Sequence, residues 1–387
     1  MMIKKKIMLA ALILSTSLAG QAATRLTALP EKGDVRIDMT SSIPLFEEDR
    51  ILTLQKGDND VTFAWNGVIV DPSSIRITLL SPKSKVTLVN SRTQIGSKSI
   101  TWKLNSTAAL EQKIRISYLL GKIDYVTEYR AETDEQEKNL TINAYVVFRN
   151  FSGQKLQDAD LAAAGGKKIY TSLDNQETKK VKTGIYKVPI KKTLLWDSSR
   201  ITWEPKKATG NVAIPLYYHL QNNKSNGLGL RLNSGKIRVY QASKMGNEVF
   251  LGEDTFPLTP KGSDAKFTIG SSRDVQVTQK QTKRTHTNIR RNNNNRVVLH
   301  DEDVEYTVTI KNFKNKTSAI TLLERFNKDH RYARLRQNIT SSAKDKKGKK
   351  IAVQEEFRGI KDSRFTLDLP AKSEVTLTIR YTLKNCL

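Results

Sequence analysis

The segment Val375-Thr376-Leu377-Thr378-Ile379-Arg380-Tyr381-Thr382-Leu383 decides the fold class. Taken alternately, Val375, Leu377, Ile379, Tyr381 and Leu383 share one face, and Thr376, Thr378, Arg380 and Thr382 share the other. Successive side chains of a strand point to opposite sides, so this is a strand with one buried and one wet face. Working outward, the same period recurs in Val304/Tyr306/Val308/Ile310, in Leu140/Ile142/Ala144/Val146/Phe148 and in Ile114/Ile116/Tyr118. It recurs again in Val61/Phe63/Trp65, Ile75/Ile77/Leu79 and Ile100/Trp102/Leu104. One-sided alternation of this kind belongs to antiparallel sheet. Lys56-Gly57-Asp58-Asn59, Asn233-Ser234-Gly235 and Pro260-Lys261-Gly262-Ser263 supply turns between strands. A helical period is confined to Asp158–Ala164, which runs into Gly165-Gly166. The expectation is an all-β chain of tandem antiparallel β-sandwich (immunoglobulin-like) domains with at most one or two short helices.

At 387 residues the chain has room for two or three domains. Its 38% hydrophobic and 27% charged residues are a globular composition. The expected partition is a signal peptide at 1–22, an N-terminal β domain at 23–120, a central β domain at 121–272 and a C-terminal sandwich-like domain at 273–387. The central domain contains a long basic excursion, Gly165 to Lys192. Gln279 to Arg296 is poor in apolar residues and includes Asn292–Asn295, which predicts a mobile polar loop or the tip of an extended hairpin.

Met1 to Ala23 has three zones: Lys4, Lys5 and Lys6, then the apolar run Ile7–Leu14, then a small-residue exit containing Gly20-Gln21-Ala22. That is the pattern of a secretory signal, and the apolar run is shorter than the ~20 residues of a membrane helix. No other run long enough to span a bilayer follows it. Leu18-Ala19-Gly20 leads into Gln21, which offers no thiol for a lipid. The expected mature chain is therefore exported to the periplasm or beyond, soluble and not lipidated. Removing residues 1–22 takes three lysines and no acids, moving the net charge from +26 to +23. The single cysteine, Cys386, rules out an intrachain disulfide. It reads as an inert terminal thiol or as a tether to another chain.

A set of ordered motifs carries a resemblance. These are Asn150-Phe151-Ser152-Gly153 with Asp158-Ala159-Asp160-Leu161, then Asn226-Gly227-Leu228-Gly229-Leu230, Ser234-Gly235-Lys236-Ile237-Arg238-Val239-Tyr240 and Phe250-Leu251-Gly252-Glu253-Asp254. Gly57 with Val61-Thr62-Phe63, and Asp71-Pro72-Ser73-Ser74-Ile75, precede them. Together they resemble a bacterial exported family that includes mucoidy-inhibitor-like proteins and carries a C-terminal domain of unknown function. The resemblance spans nearly the whole mature chain. It implies β-sandwich architecture and an envelope location, and it supplies no catalytic residues. The sequence departs from the family pattern at Gly153-Gln154-Lys155-Leu156, where Gly-Glu-Asp-Trp is usual, and at Asp124-Tyr125, where a tryptophan is usual. The long coiled-coil insert of larger members is absent.

Recognisable chemistry is sparse. His219, His286, His300 and His330 show no metal-binding helix spacing, and no HExxH, CxxC, GxSxG or phosphate-loop motif occurs. The sequence therefore nominates no catalytic, cofactor-binding or metal-binding residue. Gly227-Leu228-Gly229 precedes a strand and reads as close backbone packing or a bulge. His300-Asp301-Glu302-Asp303 reads as a solvated turn rather than a calcium loop. Glu128, Glu132, Asp134, Glu135 and Glu137 could pair for sugar hydrolysis only if the fold converged them. In Tyr217-Tyr218-His219, alternation puts Tyr218 opposite its neighbours.

Charge is the strongest unabsorbed feature. The candidate polyanion-binding residues are Lys280, Lys283, Arg284, Arg290, Arg291 and Arg296, with Lys346, Lys347, Lys349 and Lys350. A third concentration runs from Lys179-Lys180 to Lys191-Lys192. The leading reading is an exported, non-enzymatic binding or structural module of the bacterial cell envelope. A second is a polyanion-binding envelope protein that takes anionic lipid, lipopolysaccharide or acidic polysaccharide, nucleic acid being disfavoured. A third is a β-sandwich hydrolase with an unrecognised carboxylate site. The expected partners are anionic envelope components or another envelope protein, and oligomeric state stays open.

Overall fold

The computed structural model describes residues 24–26, 29, 32–81, 85–163, 168–200, 213–242, 247–325, 335–358 and 362–386. The segment expected to be a signal peptide lies outside the described residues, as does His330. Among the described residues the chain is almost entirely strand, with only three single-turn 3-10 helices. It is an all-β, multi-sheet protein. No helix among these residues is long and apolar enough to cross a membrane.

The chain forms two compact units, one built from residues up to Tyr125 together with Phe148–Lys179, the other from Val126–Val147 together with Lys180–Leu387. In the first unit, a four-stranded sheet runs in the order Thr24–Leu26, Gly57–Ala64, Ser99–Ser106, Val86–Arg92. A six-stranded sheet contains Leu45–Leu54 at its centre, paired with Val35–Asp38 and Leu110–Leu119. Phe63 from the first sheet stacks 6.2 Å from Trp102 and reaches Tyr118 of the second at 5.5 Å, while Tyr118 stacks on Phe46 at 4.8 Å. These rings form the core between the sheets.

Asn150, the last residue of strand Asn139–Asn150, belongs to this unit and is fully buried. Its amide donates to the carbonyls of Gln154 and Asp174, and its Oδ1 accepts from the Ser152 hydroxyl at 2.7 Å. Gly153 adopts φ +86°, and a Cβ there would lie 1.7 Å from the Gly67 carbonyl oxygen. The Asn-x-Ser-Gly motif is thus a staple holding three loop segments. The second unit repeats the device at Asn222, whose amide donates to Leu230, Thr259 and Pro260 carbonyls, and at Asn312, on Lys316, Leu369 and Pro370.

The second unit contains three sheets. One runs in the order Glu177–Pro189, Asn139–Asn150, Ile123–Thr133, Gly235–Ala242, Glu248–Phe256. A six-stranded sheet runs Asp264–Ser272, Ile214–Gln221, Lys191–Asp197, Ser318–Arg325, Asp362–Leu369, Gln354–Arg358. The last runs Val275–Arg291, Val297–Asn312, Ser373–Cys386, Leu335–Asp345, Lys350–Ile351. The six-stranded sheet sends Tyr218, Leu220 and Phe267 into one core cluster and Trp196, Ile320 and Phe365 into the other. Its opposite face is mostly polar, with Lys191, Thr193, His219, Thr321 and Thr366 beside Leu195, Tyr217 and Leu323. Val375, Leu377, Ile379, Tyr381 and Leu383 are all buried in the second cluster, as their alternation requires.

Two local expectations are corrected, and a third, left open between two alternatives, is resolved. The helical window at Asp158–Ala164 is instead strand Leu156–Ala162, which pairs with Lys168–Leu173 and, in parallel, with Val35–Asp38. Sheet pairing on both sides outweighs the weak local helical period. His300-Asp301-Glu302-Asp303 is no solvated turn, because it lies inside strand Val297–Asn312 with His300, Asp301 and Glu302 buried. Of the two alternatives for Gln279–Arg296, the structure has the extended hairpin and not the loose loop. Strand Val275–Arg291 pairs with Val297–Asn312, and the Asn292 side chain closes the tip by accepting from Asn294 and Arg296 amides at 3.0 Å.

Candidate functional site

The hairpin carries the densest chemistry, and its register explains why. Val277, Gln279 and Gln281 stand opposite Ile310, Val308 and Tyr306 and continue the core face. A bulge after Gln281 resets the phase, so Arg284 and His286 oppose Val304 and Glu302 on that same face. The apolar core therefore grades into a buried polar layer before the hairpin leaves the sheet. A second irregularity, between Thr287 and Arg290, contains Asn288 at φ +49°.

In that polar layer Arg284 forks onto Glu302 Oε2, from Nε at 3.0 Å and Nη2 at 2.8 Å. Glu302 Oε1 turns to two imidazoles, with His300 Nε2 at 3.1 Å and His286 Nε2 at 3.4 Å. The two rings lie 4.3 Å apart. Ligating atoms of His286, His300 and Glu302 all fall within 4.8 Å of one another. His300 is 7% exposed, and its Nδ1 is buried with no hydrogen-bond partner among the described residues. Cys386 pairs across the ladder with His300 and is buried. Burial, followed by the Glu302 charge, pushes its thiol up to about 11. A thiol so held is protonated at neutral pH and shielded, the environment of an inert cysteine.

Asp301 points to the other side of the same strand. It accepts from Asn288 Nδ2 at 2.6 Å, Lys384 Nζ at 2.8 Å and the Asn385 amide at 3.1 Å. The Asn288 and Lys384 hydrogen bonds outweigh burial and hold its carboxyl down at about 2.

The candidate cations divide by environment. Arg284 is committed to Glu302, and Arg290 donates to Asn385 Oδ1 at 2.8 Å and lies 4.0 Å from Asp301. Lys280, Lys283, Arg291 and Arg296 are exposed, and the charge of Lys283, directly opposite Glu305, helps to lower that carboxyl. Around the tip, Ile289, Val297 and Val298 are 48%, 48% and 39% exposed. Strand Val275–Arg291 is the edge of its sheet. The other basic cluster forms a tight turn closed by Asp345, which accepts from the Lys347 and Lys349 amides. Asp345 pairs with Val375, which pairs with Ile310, whereas the hairpin tip lies beyond Leu299. At about 3.4 Å per residue the hairpin tip with Arg290, Arg291 and Arg296 stands more than ~30 Å from this turn along the sheet, whereas Lys280, opposite Thr307, lies only three residues along the strand from Ile310.

Two cavities lie elsewhere in this unit. A groove of about 530 Å³ on the polar face of the six-stranded sheet is lined by residues including Lys191, Thr193, His219, Asp264 and Gln354. Burial, then the charges of Lys266, Lys191 and Arg364, holds His219 down at about 4, so it is neutral at physiological pH. A cavity of about 150 Å³ contains Glu137, Lys192, Lys314 and Lys316. Burial raises the Glu137 carboxyl, but Lys192, Tyr218 and Lys316 together bring it below its ordinary value. Each cavity is lined by a single carboxylate, so neither gathers the pair that sugar hydrolysis uses. Glu128 pairs with Lys180, Glu132 with Arg130, and Asp134 accepts turn amides from Lys138 and Asn139.

Gly227 in the Gly227-Leu228-Gly229 segment acts structurally. Gly227 has φ +83°, and a Cβ at Gly227 would lie 2.3 Å from the Lys187 carbonyl oxygen. No protein-family model and no curated protein matches the chain.

Helical metal-site spacing does not capture the His286–His300–Glu302 cluster, whose members lie on strands. The available signal was His300-x-Glu302, two residues apart and hence on one face of a strand, with a histidine in the preceding strand.

Proposed function

We propose that this chain is an exported binding module of the bacterial envelope, whose working surface is the end of the Val275–Asn312 hairpin and whose partner is an anionic lipid surface. The observation that carries this reading is the pairing of chemistry at the tip. Arg291 and Arg296, with Arg290 beside them, flank the exposed apolar side chains of Ile289, Val297 and Val298. Cations attract phosphate-bearing headgroups, and exposed aliphatic groups enter the headgroup boundary. Lys280 and Lys283 extend the positive edge toward the sheet. The same charges protect the open edge strand from pairing with another sheet. The signal-like N-terminus and the resemblance to an exported envelope family support this reading, since such a chain would meet phosphate-rich surfaces.

Cosedimentation of the mature chain with phosphatidylglycerol vesicles, phosphatidylcholine vesicles and lipopolysaccharide tests the reading. Retention on phosphatidylglycerol that falls steeply between low and physiological salt is expected, since the screening length shortens to about 8 Å. Replacing Ile289, Val297 and Val298 together by Ser should weaken vesicle binding while leaving retention on a soluble polyanion such as heparin. Equal binding to phosphatidylcholine, or no binding at low salt, contradicts the proposal. Retention by lipopolysaccharide alone assigns the cations to a surface glycolipid instead of the bilayer.

A further inference from the structure

We propose that His286, His300 and Glu302 form a binding site for a divalent late transition metal ion of the Zn²⁺ class, clipping the two strands of the hairpin together below its basic tip. The donor atoms are preplaced. His286 stands directly opposite Glu302 across the ladder, and His300 is two residues before Glu302 on the same face. Glu302 Oε1 lies 3.1 Å from one imidazole nitrogen and 3.4 Å from the other. Ligands at about 2.0–2.1 Å from a tetrahedral zinc lie roughly 3.3–3.4 Å from each other, close to both Glu302–imidazole spacings, and all three donors already lie within 4.8 Å of one another.

The surroundings favour the same conclusion. Arg284 engages Oε2 and leaves Oε1 facing the imidazoles, which orients the carboxylate as an outer-shell partner does. His300 Nδ1 is buried without a partner among the described residues, so this imidazole is only half used by the fold. The unmet atom is Nδ1, whereas the nitrogen beside Glu302 is Nε2, so the site stands on the placement of its three donors. Exposed His286 supplies the route of entry, and three protein ligands leave a position open to water or to a donor group of a partner.

The donor set also selects the ion. Two imidazoles and one carboxylate suit Zn²⁺, Ni²⁺ and Cu²⁺, whereas Ca²⁺ and Mg²⁺ need more oxygen ligands than this layer offers. Glu302 is already charge-paired with Arg284, which further disfavours a hard ion held mainly by charge. The site uses none of the exposed cations assigned above to lipid, so either proposal can fail without the other.

The test is equilibrium dialysis of untagged mature chain against Zn²⁺, in a Cys386→Ser background that removes the only thiol, with Co²⁺ absorption as a second readout. One equivalent of Zn²⁺ should bind, Co²⁺ should give a visible four- or five-coordinate spectrum, and millimolar Mg²⁺ or Ca²⁺ should not compete. His286→Ala and His300→Ala should each weaken binding by more than the about 10–100-fold typical of outer-shell changes. His219→Ala should leave it unchanged. His286 is exposed, so His286→Ala keeps the test decisive if His300→Ala fails to fold, as thermal melts will show. Absence of stoichiometric binding, or binding that survives His286→Ala, overturns the proposal.

Discussion

Asp301 shows how much a single buried carboxylate ties together, since Asn288, Lys384 and the Asn385 amide all converge on it. Its folded pKa lies below its unfolded value, so its stabilisation is present above about pH 4 and is lost as pH falls toward 2. Asp301→Asn should therefore cost stability at pH 7, by about 1–3 kcal/mol, and flatten the acid limb of the pH–stability curve. Urea melts at pH 7 and pH 3 check this, and equal losses at both pH values would contradict it. Gly153→Ala meets both a positive φ and the Gly67 carbonyl, and should destabilise by more than about 2 kcal/mol in the same assay. Cys386 should resist a thiol reagent in the native chain and react once the chain is denatured, because its thiol is buried and protonated. Rapid native labelling would revive the tether reading. At this scale the sequence displayed Asn150-x-Ser152-Gly153 as a motif but hid its meaning. The carbonyls that Asn150 holds include Asp174, more than twenty residues away.

The hairpin Val275–Asn312 is the element where legibility and its limits meet. Val304, Tyr306, Val308 and Ile310 announced a strand, and all four are buried. Their partner strand was less legible, because beyond Gln281 its apolar residues give out and bulges break the period of two. Polar residues at core-facing positions, such as Arg284, read as loop when their partner Glu302 is out of view. This difference in setting separates the candidate cations. Replacing Lys280, Lys283, Arg291 or Arg296 by Gln should change stability by less than about 0.5 kcal/mol each. Arg284→Gln should cost about 1–3 kcal/mol, because it leaves buried Glu302 without its forked partner. Thermal and urea melts distinguish the two classes, and equal effects would mean that the polar layer is not buried as described.

For the whole molecule, neither compact unit is a continuous stretch of chain. Strands Ile123–Thr133, Asn139–Asn150 and Glu177–Pro189 each carry the chain from one unit into the other. Alternation reports a strand's two faces and not its neighbours, so the all-β class was legible while this connectivity was not. The distribution of charge was hidden for the same reason. Lys346, Lys347, Lys349 and Lys350 look equivalent to the hairpin cations in sequence, yet they lie at the end of the sheet away from the hairpin tip, and Lys346 is 3.5 Å from Glu374. The central claim is that one end of this sheet, and not positive charge in general, meets the anionic surface. It is tested most directly by phosphatidylglycerol-vesicle cosedimentation of two quadruple Gln variants, one at Lys280, Lys283, Arg291 and Arg296, the other at Lys346, Lys347, Lys349 and Lys350. Both lose four charges. At physiological salt the hairpin variant should lose most of its vesicle binding with its melting temperature unchanged, while the far-end variant stays close to wild type. Equal losses in the two variants, or no loss in the hairpin variant, would contradict the account.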